Sequence, residues 1–287
     1  MKRLIFSIQL LLLSSVAFAQ TDSLAIVKTR WNVKKISNGV KLRQFNFDKI
    51  LFNSNQNISV LEVKQRGRGR YFDLAYDPRV LRKTSEFGKE ANALAAINGT
   101  FFDIKNGGSV DYIESDNRVI NENRTGANGA RSMHQKAAVL FNSGKLSVKK
   151  WNGETGWEQS LVAEDLMVTG PLLLLDGKSQ DLDTANVFNK TRHPRSAIAI
   201  TKNKRVLLIT VDGRQENSAG VSLFELTKIL NWLGARDGIN LDGGGSTTLW
   251  VNGKSTSGVV NYPSDNKKWD HEGERKVANV LLLLKKK

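Results

Sequence analysis

Residues 240–246 run Asn-Leu-Asp-Gly-Gly-Gly-Ser, and no other stretch limits the fold of this chain so tightly. Residues 238–241 read as a buried strand with Asp242 at its end. Three residues without side chains follow, Gly243, Gly244 and Gly245, and then two hydroxyls, Ser246 and Thr247. Glycine permits positive φ and the close approach of another molecule, and successive backbone N–H groups in such a run form an anion-binding nest. A strand that delivers a carboxylate to a glycine nest predicts a small-molecule site. A tight turn between two strands is the plainer reading, but Asp-Gly-Gly-Gly-Ser is longer than a turn needs.

The spacing of apolar residues predicts an α+β fold, a mixed and strand-dominated sheet with a few packed helices. Residues 20–76 alternate apolar and polar, as in Ile58-Val60-Glu62, and form a β-rich N-terminal segment. Residues 77–287 form the main domain, with no evident linker or repeat. Asp77-Pro78 is expected to open a helical region that ends near Asn92, and residues 93–98 read as a buried strand. Residues 103–131 are rich in Gly, Asn and Asp and predict a long loop, a common form for a functional lid. Strands are expected over 135–141, 146–151 and 166–175. Residues 196–201 and 205–211 make a hairpin around Lys202-Asn203-Lys204. A helix follows, with Ser222 and Glu225 as capping box, Val221 and Leu226 as hydrophobic staple, and Gly234 as its left-handed stop. Residues 247–251 and 277–284 close the pattern as strands.

The first nineteen residues read as an export signal: Lys2 and Arg3, an apolar stretch from Leu4 to Leu13, and Ala17-Phe18-Ala19 as the cleavage site. Cleavage near Ala19 places the product in the periplasm or outside the cell, without a lipid anchor, because no cysteine follows. The apolar stretch is too short for a membrane span, and no other segment qualifies. About 268 of the 287 residues remain, enough for a substantial core. With no cysteine anywhere, disulfides, thiolate catalysis and cysteine-ligated metals are all excluded. Removing Lys2 and Arg3 takes the formal charge from +15 to +13. Export argues against nucleic acid as the partner, as does the dispersal of the basic residues. The cluster Lys64, Arg66, Arg68 and Arg70 reads as a solvated hairpin. Anionic glycans or sugar phosphates of an envelope suit the charge and the location.

Four more islands place polar residues at the ends of apolar strands: Asn98-Gly99-Thr100-Phe101-Phe102, His193-Pro194-Arg195-Ser196, Asp212-Gly213-Arg214 with Ser218 and Gly220, and Arg275-Lys276-Val277-Ala278-Asn279. Taken in order with the glycine run, this set resembles the phosphodiester glycosidase family. That family includes the lysosomal N-acetylglucosamine-1-phosphodiester α-N-acetylglucosaminidase and exopolysaccharide-associated bacterial relatives. The resemblance covers roughly residues 90–284, with Thr100 standing where many members have a second glycine and Ala199 where a glycine often follows Pro-Arg-Ser-Ala. It implies an enzyme, a hydrolase that cleaves a sugar-1-phosphodiester and releases sugar and a phosphate monoester. It implies further that Asn98, Arg195, Asp212, Arg214, Asp242, Gly243, Gly244, Ser246 and Asn279 line the site.

The residue types fit that chemistry. Arginine's planar fork matches phosphate oxygens, which makes Arg195 and Arg214 the phosphate ligands, with Gly243 to Gly245 adding backbone donors. Asp212 and Asp242 supply the carboxylate pair of glycoside hydrolysis. Phosphate leaves readily, so one carboxylate can suffice, and Asp242 is the favoured one. Ser246 and Thr247 are expected to bind substrate, and Asn279 and Arg275 complete the set. Arg275 has a second reading as the neutraliser of a buried carboxylate. His193 adjoins the Pro-Arg motif, whereas His134 and His271 read as non-catalytic. Without His-x-x-x-His spacing no zinc site is expected, and no cofactor is required. Asp103, Asp111, Glu114 and Asp116 offer calcium a loop of oxygens, but a solvated acidic loop is the simpler reading. Most of Trp151, Trp157, Trp250 and Trp269 are expected in the core. Two rival functions remain: a non-catalytic receptor for envelope glycan or sugar phosphate, and a metal-dependent phosphodiesterase that breaks P–O instead of C–O.

Overall fold

A computed structural model describes residues 21–65 and 69–286. The expected export signal over residues 1–19, and Arg66 and Arg68 of the basic cluster, lie outside these. Arg70 donates to the carbonyls of Asn38 and Lys64, 2.6 Å each, so it ties two strands together.

The hairpin Arg195–Thr201 with Arg205–Val211 shows how the architecture follows from alternation. Its pairs include Ile198 with Leu208 and Ala199 with Leu207. Successive side chains on a strand point to opposite faces. Ile198, Ile200, Val206 and Leu208 therefore enter one core, and Ala197, Ala199, Leu207 and Ile209 enter another. Apolar on both faces, this hairpin has to sit inside a sheet. It is central to an eight-stranded one, in the order Asn32–Ser37, Val40–Leu51, Ser54–Lys64, Arg205–Val211, Arg195–Thr201, Ala235–Asn240, Leu172–Leu175, Lys178–Ser179.

On one face of this sheet lies the helix Leu223–Trp232, whose Leu223, Leu226, Ile229 and Leu230 are buried. Its ends are formed as the local signals require. Ser222 Oγ accepts from the Glu225 N–H at 3.2 Å, and the Ser222 N–H donates to the Glu225 carboxylate at 2.9 Å. Gly234 takes φ +82° after the last turn. Such a cap contributes about 1 kcal/mol. On the other face a core shared by three sheets gathers Leu61, Ile97, Val139, Ile198, Leu208 and Leu281. The four-stranded sheet there has the order Leu249–Val251, Ala95–Asn98, Asn279–Lys285, Arg70–Tyr76. Its outer face packs against Phe87 of the short helix Thr84–Glu90. A five-stranded sheet, Lys145–Lys150, Ala137–Asn142, Asp165–Val168, Ile113–Ser115, Arg118–Asn121, completes the enclosure. The strand-dominated α+β class read from the sequence is the class of the fold.

Several expected boundaries moved, each for a local reason. The N-terminal stretch extends the sheets of the main domain. Ser54–Lys64 pairs with Arg205–Val211, and Arg70–Tyr76 with Asn279–Lys285. The helix begins at Thr84 rather than Asp77 because the Asp77 carboxylate accepts from the N–H groups of Arg79 and Val80, holding a turn. The loop over 103–131 contains a hairpin, Ile113–Ser115 with Arg118–Asn121, turned by Asp116 and Asn117 at φ +51° and +57°. The apolar run 166–175 is two strands in two sheets, broken at the cis Gly170-Pro171 bond. Trp157 and Trp250 are core residues, whereas Trp269 stacks on Tyr262 with centroids 4.0 Å apart. Among the described residues no helix is long and apolar enough to cross a membrane.

Candidate active site

Antiparallel pairing sets the place of the site. Arg195–Thr201 and Ala235–Asn240 are neighbours with Ala197 opposite Asn240, so Arg195 and Asp242 leave the large sheet at one end. The Leu241 N–H donates to Ser196 O at 2.9 Å and the Gly244 N–H to Pro194 O at 2.8 Å, zipping the two exits together. The four-stranded sheet arrives at the same point through Ala95–Asn98. The Asp242 N–H donates to Gly99 O at 3.0 Å. Asn98 is fully buried and joins the sheets. Its Nδ2 donates to Asp242 O at 2.7 Å, while its Oδ1 accepts from Ser196 Oγ at 2.6 Å and from the Thr248 N–H at 3.1 Å. The carboxylate of Asp242 is thus presented where two sheets meet.

Each glycine of the run admits a different neighbour. A Cβ on Gly243 would lie 2.7 Å from Pro194 O. Gly244, at φ +61°, has Arg214 Nη2 3.0 Å from that position. A Cβ on Gly245 would collide with the Asp265 carboxylate and lie 2.7 Å from Arg275 Nη2. The three glycines let two guanidinium groups close on the end of the strand. The backbone nest is largely self-satisfied: the Gly243 N–H donates to Asp242 Oδ1 at 2.9 Å, and Gly244's to Pro194. Side chains, not these N–H groups, therefore supply most of the cavity's positive charge.

The cavity measures about 230 Å³ and is lined by Phe188, His193, Arg195, Arg214, Asp242, Gly243, Gly244, Gly245 and Arg275. Wider clefts of about 840 and 620 Å³ lie elsewhere, over residues such as Asn92 and Lys286 or Lys145 and Lys204, but neither collects a carboxylate among arginines this way. Arg195, 1% exposed, spends Nε on Val221 O and Nη2 on Phe188 O and Thr191 O, and lies over the Phe188 ring at 4.6 Å. Burial, with Arg214 adding repulsion, lowers its pKa to about 10. Arg214 is exposed and, among the described residues, has no ion-pair partner. Arg275 is held by Asp265 at 2.5 Å. Burial, then Arg195 and Arg214, push the pKa of His193 down, which keeps that ring neutral beside the arginines.

Asp242 retains partial contact with the cavity, yet its carboxylate is deep enough that burial lifts its pKa to about 6. Ser246 and the Gly243 N–H oppose the shift, as does the charge of Arg275, whereas Asp111 adds to it. The Ser246 hydroxyl favours the charged form without completing a hydrogen bond.

Of the residues expected at the site, Arg195, Arg214, Asp242, Gly243, Gly244, Gly245 and Arg275 come together around the cavity. The other five do not line it. Asp212 is fully buried, with Oδ2 accepting from Asn57 Nδ2 at 2.7 Å and Oδ1 from Asn261 Nδ2 and the Tyr262 N–H at 2.9 and 3.0 Å. Every direction in which it could meet substrate is taken by protein. Asn98 braces the sheets, and Asn279 Oδ1 accepts from the Thr100 N–H at 2.8 Å. Ser246 and Thr247 are fully buried, their hydroxyls without a hydrogen-bond partner among the described residues. Sequence reasoning passed over Phe188, which carries no polar signal, and Asp265, which only the ion pair with Arg275 reveals. The four loop carboxylates diverge: Asp103 pairs with Arg124, Glu114 takes the Tyr112 hydroxyl, and Asp111 turns inward. Among the described residues no group of three or more His, Asp or Glu side chains is placed to share a cation.

Buried carboxylate, unpaired guanidinium and flexible-backbone glycines in one hollow are a hydrolase-type arrangement for an anionic substrate, carried on an α+β scaffold. The phosphodiester glycosidase family model matches residues 91–284, and the chain belongs to that family. It is 25% identical to human N-acetylglucosamine-1-phosphodiester alpha-N-acetylglucosaminidase over 189 residues, 63% of this chain and 35% of that protein. It is 26% identical over 147 residues to the SPbeta prophage-derived uncharacterized protein YomE of Bacillus subtilis, covering 46% and 23% of the two chains. The chain therefore spans about a third of the human relative and less of the bacterial one. Among solved structures, the zebrafish N-acetylglucosamine-1-phosphodiester alpha-N-acetylglucosaminidase catalytic domain, auto-inhibited by its pro-peptide, superposes with a TM-score of 0.65. That match has 20% identity and covers 94% of this chain and 93% of that one.

Proposed function

We propose that the chain is an exported glycosidase that hydrolyses a sugar-1-phosphodiester, releasing free sugar and a phosphate monoester. One observation carries the reading: Arg214, unpaired, and Arg195 open onto the same small cavity as Asp242. A phosphodiester brings one negative charge for the arginines and an adjacent anomeric carbon for the carboxylate. Asp242 attacks C1, the C1–O bond to phosphorus breaks, and the phosphate monoester departs with the bonding electrons. Its departure as a stabilised anion lowers the demand for a strong acid, and the guanidinium charges stabilise what develops on it. With its pKa at about 6, Asp242 is mostly ionised at neutral pH and mostly protonated below pH 5. Turnover should therefore fall as the medium is acidified through that range.

The human relative is named for N-acetylglucosamine linked through a phosphodiester, which makes that sugar the first substrate to offer. UDP-N-acetylglucosamine and simple alkyl diesters of N-acetylglucosamine-1-phosphate are suitable probes, with release of free sugar as the signal. Reaction in 18O-water decides the bond: label in the sugar means C–O cleavage, and label in phosphate means phosphoryl transfer and a different enzyme. The Asp242→Asn protein should keep its fold and lose turnover by about 10³-fold or more. Binding without product release would instead identify a glycan receptor. Export is checked by fractionating cells and sequencing the mature N-terminus, expected at Gln20.

A further inference from the structure

The cleft of about 620 Å³ lies at the other end of the large sheet from Asp242. It is bordered by Ile200, Lys204, Arg236 and Asp237, where Thr201 pairs with Ala235. The strand Arg195–Thr201 connects the two ends, and at about 3.3 Å per residue it separates cleft and active-site cavity by roughly 20 Å. The strand Lys145–Lys150 of the five-stranded sheet forms another wall. Gln65 fixes it there: its Oε1 accepts from the Leu146 N–H at 2.6 Å, and its Nε2 donates to Leu146 O at 3.1 Å. Alternation turns Leu146 and Val148 into the core and puts Lys145, Ser147 and Lys149 on the opposite face. A second hollow of about 250 Å³ adjoins the first, sharing Gln65 and Lys204 and adding Lys64, Asn203 and Arg205. Lys64 and Arg205 are paired residues of neighbouring strands at this same end of the sheet.

The charge of the joined hollows is one-sided. Lys64, Lys145, Lys149, Lys204, Arg205 and Arg236 line them, with Asp237 as the only carboxylate in the lining. Arg205 is paired with Glu62 and Arg236 with Asp176. The four lysines are exposed and, among the described residues, form no ion pair. A concave surface of one sign focuses its field and draws in anions. The rest of the lining narrows the kind of anion. Gln65, Asn142, Ser143, Ser147 and Asn203 offer amide and hydroxyl hydrogen bonds of the sort sugar hydroxyls take. No aromatic ring lines either hollow, so stacked bases have no platform. Leu146, Val148 and Ile200 are buried, so no apolar side chain is presented to a lipid surface. Lys145 and Lys149 stand about 13 Å apart along their strand, so one chain must carry repeated charges to engage both. We infer that this cleft is a second binding site, separate from the catalytic cavity, for an anionic polysaccharide of the polyuronate kind. The inference goes beyond the glycosidase reading and does not depend on it.

Fluorescence anisotropy of end-labelled oligogalacturonate, titrated with the full chain at low salt, tests this. The wild type should bind it, and neutral dextran should not compete. A triple variant, Lys145→Ser, Lys149→Ser and Lys204→Ser, should weaken binding by about tenfold, because each exposed charge contributes little and their loss adds. A control variant of equal charge, Lys28→Ser, Lys34→Ser and Lys228→Ser, alters exposed lysines that line neither hollow and should change binding less than about twofold. Arg214→Ala, in the catalytic cavity, should bind the polymer as the wild type does. Equal weakening in both triple variants would reduce the effect to net charge and overturn the site. Loss of binding in Arg214→Ala would move the polymer to the catalytic cavity and overturn it as well. Tighter binding of single-stranded DNA or of anionic phosphatidylglycerol vesicles than of the oligogalacturonate would overturn the ligand class. Because the cleft is remote from Asp242, release of sugar from UDP-N-acetylglucosamine should be the same in the wild type and the cleft variant. Absence of that turnover in the wild type would remove the glycosidase reading and leave the polymer-binding result standing.

Discussion

Replacing Asp212 by asparagine tests whether its buried carboxylate belongs to the framework or to the proposed reaction. The group is fully buried, and burial outweighs its three hydrogen bonds, lifting its pKa from the ordinary 3.8 to about 6. A shift of roughly two units corresponds to about 3 kcal/mol against the ionised form. The sign follows from proton counting. Between about pH 4 and 6 the folded chain still holds a proton that the unfolded chain has released, so stability falls as pH rises through that window and levels off above it. Asparagine has no proton to lose. At pH 7.5 the variant escapes the cost of the buried charge, less about 1 kcal/mol for turning one acceptor into a donor that faces Asn57. Asn57 can reverse its amide to meet it. The expected outcome is a gain of about 1–2 kcal/mol at pH 7.5 and little change at pH 4.5. Asp212→Ala, by contrast, strands donors on Asn57, Asn261 and Tyr262, at about 1–3 kcal/mol each.

Urea denaturation at the two pH values measures these differences. Asp242 titrates in the same range, so Asp242→Asn and the double variant are needed to divide the pH dependence between the two positions. Turnover is the second readout, and Asp212→Asn should retain most of it. A folded Asp212→Asn protein without turnover, or one with the wild type's full loss of stability between pH 4.5 and 7.5, would refute the framework role.

The remaining expectations concern the cavity wall. Gly245→Ala places a methyl group against the Asp265–Arg275 ion pair and should raise KM about tenfold with little loss of stability, since that pair is partly exposed. Arg214→Ala, with no ion pair to break, should raise KM while leaving the thermal midpoint within a few degrees of wild type. Arg195→Leu leaves the carbonyls of Phe188, Thr191 and Val221 without their donor and should destabilise by about 3 kcal/mol or more in urea. Inorganic phosphate should inhibit competitively and less strongly as salt is raised, because the attraction is of charge to charge.

Local signals were legible wherever a local cause fixes the backbone. The helix Leu223–Trp232 carries its own capping box and stop, and both formed as read. The hairpin Arg195–Thr201 with Arg205–Val211 needed only alternation and a polar turn. The glycine run marked a candidate site, but the reason for three glycines comes from Pro194, Arg214 and Arg275, which reach it through the fold. Asp212-Gly213 and Asp242-Gly243 show the limit. Both are an acid and a glycine after an apolar strand, and nothing within either segment tells them apart. Asp212 is enclosed by Asn57, 155 positions away, and by Asn261, 49 positions away. The burial of Asp111, which the sequence placed in a solvated acidic loop, was hidden for the same reason: its carboxylate accepts from Thr100, 11 positions away, and from Gln135, 24 positions away.

The enclosing residues are amides to a notable degree, and their chemistry explains how an acid-bearing crevice survives between two sheets. Strand ends leave backbone N–H and C=O groups without ladder partners, and burying them unpaired is costly. Asn98 serves Asp242 O, Ser196 Oγ and Thr248 N. Asn261 serves Leu249 N, Thr247 O and Asp212. Asn240 donates to Gly170 O and Leu241 O, and Asn279 accepts from Thr100 N. A neutral amide offers a donor and an acceptor from one buried position without the desolvation cost of an ion. Charged side chains in these places would compete with Asp242 for the arginines and shift its ionisation again. With amides holding the strand ends, the charge of the crevice is set mainly by its lining and by Asp265, which pairs with Arg275. Arg195, Arg214 and Arg275 against Asp242 and Asp265 leave an excess of positive charge, and that excess is what a singly charged phosphodiester would complement.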